Sequence, residues 1–291
     1  MPAILCPRCR KLISSDVSRC PYCGQVQPGM WGLADALRKL GLRVDFTWLI
    51  LRLCVGLYVL GLLISVALDG LGALFPSGGG FSPLGFLAPT FSSSELLGMT
   101  GAYPVLLDGR WWTLLTAVYL HGSLLHIFFN MMWVRQLAPL VEDLFGPYRL
   151  FVIYTVAGVT GFVFSSAMGV IAGLTGFSVP LFGAATHSLG ASGSIFGLLA
   201  AAIVYGRQQR STLFTRQFLQ WAVLLFVFGL IYPRVDNWAH AGGFVGGYGM
   251  AYLFSRERSH EGPGTYIAAG LCVALTVVAF MLQIGAALTM W

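Results

Sequence analysis

The stretch GASGSIFG, residues 190–197, opens a long apolar run and sets two serines among glycines at its edge. Alanine would serve equally well where helices must approach closely, so the hydroxyls ask for a separate reason. The chain on either side says what solvent the run meets. Hydrophobic residues make up 57% of the 291 and charged residues 10%, and the mean hydropathy is +0.77. Uncharged stretches of about 20 residues recur, each long enough to cross hydrocarbon as a helix. The composition therefore describes an all-α polytopic membrane protein built around one helical bundle. The net charge of +6 gathers in short loops between apolar runs, where it reads as a topology signal and not as a nucleic-acid surface.

Seven spans are expected, at 47–69, 120–140, 150–172, 190–207, 214–232, 237–255 and 265–289. Basic residues precede the first (Arg38, Lys39, Arg43) and follow the second (Arg135, Arg149), fourth (Arg207, Arg210, Arg216) and sixth (Arg256, Arg258). Those segments should be cytoplasmic, which puts the amino terminus inside and the carboxyl terminus outside. The remaining connections are poor in cations: 173–189 has none, the link near 232–237 has Arg234, and 70–119 has Arg110. No apolar core near the start suggests a signal peptide. The short loops and compact amino-terminal module suggest a prokaryotic inner or plasma membrane. The long 70–119 segment, rich in Gly, Pro and Ser, reads as a functional or disordered loop. Its Trp111–Trp112 pair reads as an interfacial anchor.

Near the amino terminus, CPRCRKLISSDVSRCPYC places Cys6, Cys9, Cys20 and Cys23 as two CxxC pairs. Two such knuckles can converge four thiolates on one tetrahedral zinc ion, and a cytoplasmic setting keeps thiols reduced, so disulfides are the weaker alternative. Four cysteine ligands leave no position for a substrate water, which makes the zinc structural. Cys54 and Cys272 lie alone in spans and read as small packing residues. The expected division is a zinc ribbon over 1–30, a linker over 31–46, a six-span core over 47–255, and a link with a seventh helix over 256–291.

Polar groups inside hydrocarbon are costly and so carry a functional prior. Three places qualify: HGSLLHIFFN with His121, His126 and Asn130; Ser192 in GASG; and His240 in DNWAHAGGFVGGYG. Spans 2, 4 and 6 run in one direction, which sets Ser192 and His240 at similar shallow depth below the outer surface. A serine beside an imidazole can lose its proton and attack an acyl carbon, and the histidine then protonates the leaving amine. His126 and Asn130, four apart on one face of span 2, can donate to the oxyanion with the backbone amide of Ser192. Gly243 and Gly247 beside His240, and Gly190, Gly193 and Gly197 around Ser192, allow spans 4 and 6 to touch. Ser194, about 200° around the helix from Ser192, reads as packing. Asp236 reads as a loop or cap residue, His187 as an outer-loop residue, and His260 as plain surface.

Taken in order, HGSLLHIFFN, GASG and AHAGGFVGG resemble the rhomboid family of intramembrane serine proteases, over roughly residues 46–255. The resemblance implies a six-helix core with a seventh helix appended. It makes Ser192 the nucleophile and His240 the base of a dyad without a carboxylate, and His126 and Asn130 the oxyanion-side donors. His121 becomes a supporting residue. Phe196 matches a position whose ring stacks under the histidine. The expected partners are single-span membrane proteins, cut near the outer membrane boundary, and the lipid bilayer; no nucleic acid and no catalytic cofactor are expected. The family often carries Trp-Arg before span 2, where this chain has Trp112-Thr113, with Arg110 slightly upstream. A base without a carboxylate partner implies slow turnover.

Two other readings compete. A catalytically silent rhomboid relative could bind membrane helices for quality control, but such relatives usually lack the serine or the histidine. A proton or metal path would need carboxylates inside the spans, where none is found; Glu142 and Asp143 sit at a span end.

Overall fold

The structure is a computed structural model that describes residues 3–6, 9, 11–14, 17–24, 45–75, 85–177, 179, 182, 186–232, 235–256 and 261–289. Arg38, Lys39, Arg43, Arg234, Arg258 and His260 lie outside the described residues, as does most of the expected linker.

Among the described residues the apolar runs form seven long helices: α1 Phe46–Asp69, α2 Leu124–Phe145, α3 Pro147–Thr175, α4 Ser192–Gln208, α5 Thr212–Ile231, α6 Asn237–Arg256 and α7 Pro263–Thr289. Five of them, α1, α2, α3, α5 and α7, are long and apolar enough to cross a membrane. The other two are the centre of the bundle. Helix α4 has 17 residues, and every one from Gly193 to Val204 is buried. A helix apolar on all sides belongs in a core, and α4 packs against α2, α3, α5 and α6. Glycine, which lowers the hydropathy of α6, is what lets it press closely on α3 and α4.

Two span edges differ from the sequence expectation. Helix α2 starts at Leu124, not 120, because the Ser123 hydroxyl accepts the His126 amide at 3.3 Å and caps the helix there. It also runs through Pro139 to Phe145, ending where Gly146 takes φ 101°. Neighbouring helices tolerate such a proline, and Gly146 supplies the left-handed turn that a side chain resists.

The described residues between α1 and α2 from Phe91 on are not irregular. They fold as a helix Phe91–Leu96, a π-helical turn Tyr103–Leu107, a helical turn Thr113–Thr116 and a 3₁₀ turn Ala117–Tyr119. Arg110, the one cation of the 70–119 segment, is 4% exposed and pairs with Glu95 at 3.1 Å and with Asp108. Trp111 is exposed, as an anchor should be, whereas the Trp112 indole donates to Gln283 of α7 at 3.0 Å. The Thr113 hydroxyl, at the expected Trp-Arg position, donates to the Arg110 carbonyl at 2.7 Å and shares a 3.0 Å hydrogen bond with the Thr100 hydroxyl.

At the amino terminus, strands β1 (Ala3–Leu5) and β2 (Leu12–Ser14) pair antiparallel, with Ile4 opposite Ile13. Cys6, Ile13 and Cys20 form its small buried centre.

Candidate active site

Helix α4 begins at Ser192 because the chain turns sharply just before it. Gly190 has φ 136°, and its amide donates to the Ala117 carbonyl at 2.9 Å. A Cβ there would stand 2.8 Å from the His126 ring, so only glycine fits. Helix α6 begins with Asp236 Oδ1 accepting the Ala239 amide at 3.0 Å, which puts His240 in its first turn.

Between the two helices runs a seam of backbone on backbone. A Cβ on Gly243 would overlap the Gly193 carbonyl, and one on Gly247 would overlap the Gly197 Cα. With no side chains to hold the helices apart, Ser192 Oγ and His240 Nε2 come within 2.9 Å although 48 positions separate them. His240 is 5% exposed, and its ring stacks on Phe196 with centroids 4.4 Å apart and planes 19° from parallel. To accept from the serine, Nε2 must be the unprotonated nitrogen, which leaves the proton on Nδ1. That Nδ1 has no hydrogen-bond partner among the described residues. Asp236 does not reach it: its carboxylate is bonded to the Ala239 amide and to the hydroxyls of Ser165 and Ser188. The arrangement is a serine–histidine pair.

His126 closes the other side. Its Nδ1 accepts the Gly122 amide at 3.3 Å, so in the neutral ring Nε2 carries the proton and is a donor. That face of the ring lies against Gly190, two residues from Ser192. The first N–H groups of α4 have no acceptor within their helix and add donor capacity at the same end. His121 is buried with its ring centroid 5.1 Å from that of His126. Asn130 is also buried, but its amide nitrogen donates back to the His126 carbonyl at 2.8 Å and makes no bond to Ser192 or His240. Ser194 donates to the Tyr154 carbonyl at 2.7 Å and joins α4 to α3. His187 packs between Phe91 and Tyr103, at 5.0 and 5.7 Å.

A family model described as the rhomboid domain matches residues 108–257. The chain belongs to the rhomboid family. RHOMBOID-like protein 1 of Arabidopsis thaliana is 30% identical over 173 residues, covering 58% of this chain and 41% of that protein. The rhomboid protease GluP of Bacillus subtilis is 29% identical over 177 residues, covering 58% of this chain and 31% of that one. The putative rhomboid protease YdcA of the same bacterium is 28% identical over 162 residues, covering 53% and 72%. The match thus spans less than half the length of the first two relatives. This rhomboid is an integral membrane protein with a helical core, and its matched region holds all of Ser192, His240, His126, Asn130, His121 and Phe196.

Three features of this rhomboid escaped the sequence reading. Arg110 with Glu95, and Asp236 with Ser165 and Ser188, are pairings between separated segments, and no spacing rule announces them. Gln283 was detectable as a strongly polar residue inside span 7, which is 2% exposed here.

The four ribbon cysteines place their sulfur atoms within 4.8 Å of one another, with Cys6–Cys23 at 3.6 Å and Cys9–Cys20 at 3.7 Å. Four sulfurs around one zinc ion at about 2.3 Å stand roughly 3.8 Å apart, so the set fits a metal ion. None of the four is in a disulfide. Burial raises the Cys20 thiol pKa, but hydrogen bonds from the Tyr22 and Cys23 backbone and from the Cys6 and Cys23 side chains bring it to about 7. A thiol so placed gives up its proton readily to a metal.

Proposed function

We propose that this rhomboid is an intramembrane serine endopeptidase. The observation that carries the reading is the 2.9 Å contact between Ser192 Oγ and His240 Nε2 beneath a glycine-packed seam. Ser192 attacks the scissile carbonyl as its proton passes to His240 Nε2; His240 then protonates the leaving amine, and the chain is held as an acyl ester on Ser192. His240 next takes a proton from water, whose oxygen attacks the ester, and returns it to Ser192 Oγ as the acyl–oxygen bond breaks and the new carboxyl end leaves. The oxyanion is met by the Ser192 amide, by His126 Nε2–H, and by the amide hydrogen that Asn130 does not spend on the His126 carbonyl. Phe196 holds the His240 ring flat, and His121, Gly190, Gly243 and Gly247 support the arrangement. With no carboxylate on His240 Nδ1, the imidazolium is less stabilised and turnover is slow.

The substrates are single-span membrane proteins cut near the membrane boundary at which α2, α4 and α6 begin. Positive charge on the opposite loops supports placing that boundary outside, with the amino terminus cytoplasmic and the carboxyl terminus outside. The division is a ribbon over 1–30, a linker over 31–46, the catalytic core over 47–255, and the seventh helix with its link over 256–291. Cys6, Cys9, Cys20 and Cys23 hold a structural zinc ion, and catalysis needs no cofactor.

The test is labelling with a fluorophosphonate, the adduct located by intact and fragment mass. Wild type should carry the adduct on Ser192, and Ser192→Ala and His240→Ala should each lose at least ~10³-fold in labelling and in cleavage of a transmembrane substrate. Cleavage that persists in folded Ser192→Ala overturns the proposal.

A further inference from the structure

Asp236 lies in the described stretch just before α6 and was read from sequence as a cap. It does cap, through Oδ1 and the Ala239 amide at 3.0 Å. Its other oxygen does something a cap does not require. Oδ2 accepts the hydroxyl of Ser165, from the middle of α3, at 2.5 Å, and the hydroxyl of Ser188 at 2.6 Å. Ser165 is fully buried and Ser188 is 9% exposed.

Ser188 stands four residues before Ser192, on the segment that delivers the nucleophile. His240 stands four residues after Asp236, on the turn that delivers the base, and its amide donates to the Asp236 carbonyl at 3.2 Å. One carboxylate thus ties the two arms of the pair to each other and both to α3. Ser188 is itself bridged to the loop, its amide donating to the Thr100 carbonyl at 2.6 Å and its carbonyl accepting the Thr100 amide at 3.0 Å. The glycine seam fixes α4 against α6 side by side. It leaves free a slide along the helix axes, to which a 2.9 Å contact at the helix ends is sensitive. A bond between the two entering segments opposes that slide.

We infer that Asp236 is a positioning residue for the reaction, which sets the Ser192–His240 separation by clamping Ser188 to the first turn of α6 without touching either reacting group. Charge is what suits it to the task. An ionised carboxylate takes three donors at once, and hydrogen bonds to it are shorter and stronger than those between neutral groups. Asparagine can keep the cap on Ala239 and one further contact, but it cannot accept both hydroxyls through the other atom. Ser188→Ala removes one arm of the clamp and leaves the cap.

The inference rests on the protease reading, so its test carries one readout that depends on catalysis and one that does not. Asp236→Asn, Asp236→Ala, Ser188→Ala and the double variant Ser188→Ala/Asp236→Ala are made in the full chain in detergent. The rate of fluorophosphonate labelling at Ser192 is measured beside hydrogen exchange of residues 186–191 and 237–241. A misplacement near an ångström costs up to ~100-fold, so Asp236→Ala should label roughly 10-fold or more slowly. Asp236→Asn should fall between it and wild type, and the double variant should be no slower than Asp236→Ala, because both changes break one link. Exchange should rise in both segments in Asp236→Ala and in Ser188→Ala. Wild-type labelling in Asp236→Ala overturns the inference, and so does exchange that rises around 237–241 alone, which is the mark of a simple cap. If wild type itself takes no label, the protease reading has failed; concerted exchange in the two segments would then show the clamp without the reaction, and its absence would sink both.

Discussion

In the ribbon, four thiols gather within a short local sequence, Cys6 and Cys23 being 17 positions apart; in the bundle, Ser192 and His240 meet from 48 positions apart. Among the described residues the ribbon has three buried at its centre, two of them cysteines, so the zinc ion proposed for its four thiols would supply most of its folding energy. The bundle pair is placed by packing of the chain itself. Its geometry comes from α3, α4 and α6 packed with glycine at each close approach. Reactive groups can therefore be assembled by local spacing plus a metal or by distant segments plus packing, and the two should fail differently.

The largest effect is expected at the seam. Gly243→Ala puts a Cβ into the Gly193 carbonyl, and Gly247→Ala puts one into the Gly197 Cα, where no side chain can move aside. The helices must part or slide, and labelling of Ser192 should fall by ~100-fold or more while helix content by circular dichroism is kept. Gly249→Ala on the same helix meets nothing within 4 Å and should label at the wild-type rate. If Gly243→Ala labels normally, close glycine packing is not what brings the pair together.

Next comes the ribbon, whose loss should be complete but confined. Cys9→Ser or Cys20→Ser, or dialysis against a strong chelator, should remove about one zinc ion per chain by elemental analysis and expose residues 3–24 to rapid proteolysis. Ser192 labelling should stay within about twofold of wild type, since the pair draws nothing from the metal. A parallel fall in labelling would show that the two regions are coupled and that the contrast is too sharp.

The same contrast explains what could be read from the chain. Ribbon chemistry is written in CxxC spacing, and the seam is written in glycines at helical intervals beside a serine and a histidine. Both are short-range patterns, so both were legible; the ring of Phe196 under the imidazole was implied by the family resemblance and not by spacing. The segment before α2 was not, because its order comes from pairs with no fixed spacing: Arg110 with Glu95, Thr113 with Thr100, Thr100 with Ser188. Asn130 shows a different limit. Its position one turn from His126 suggested a donor aimed at the oxyanion, and the same spacing also lets one of its two amide hydrogens bond the His126 carbonyl. The i, i+4 relation names a shared face and leaves the side chain's choice of partner open.

The smallest effect is expected farthest from the pair, at the contact between α7 and the loop. Gln283 accepts the Trp112 indole N–H at 3.0 Å and donates to the Glu95 and Leu96 carbonyls, each at 3.0 Å. It is 2% exposed and stands at the end of the loop helix, where those carbonyls have no partner within the helix. Gln283→Leu keeps the volume and strands the Trp112 N–H and the Leu96 carbonyl, while the Glu95 carbonyl keeps the Gly98 amide at 3.1 Å; the cost is about 1–3 kcal/mol for each stranded group that water cannot reach. The melting temperature should fall by several degrees, and the double variant Trp112→Phe/Gln283→Leu should melt no lower than Gln283→Leu, because the indole bond is already lost. From the loop to Ser192 the path runs through Thr113, Thr100 and Ser188, all held by bonds that Gln283 does not make. Labelling should therefore drop less than ~5-fold, well short of the seam variants. A loss as large as that of Gly243→Ala would mean that α7, acting through the loop, sets the Ser192–His240 geometry as strongly as the glycine seam does.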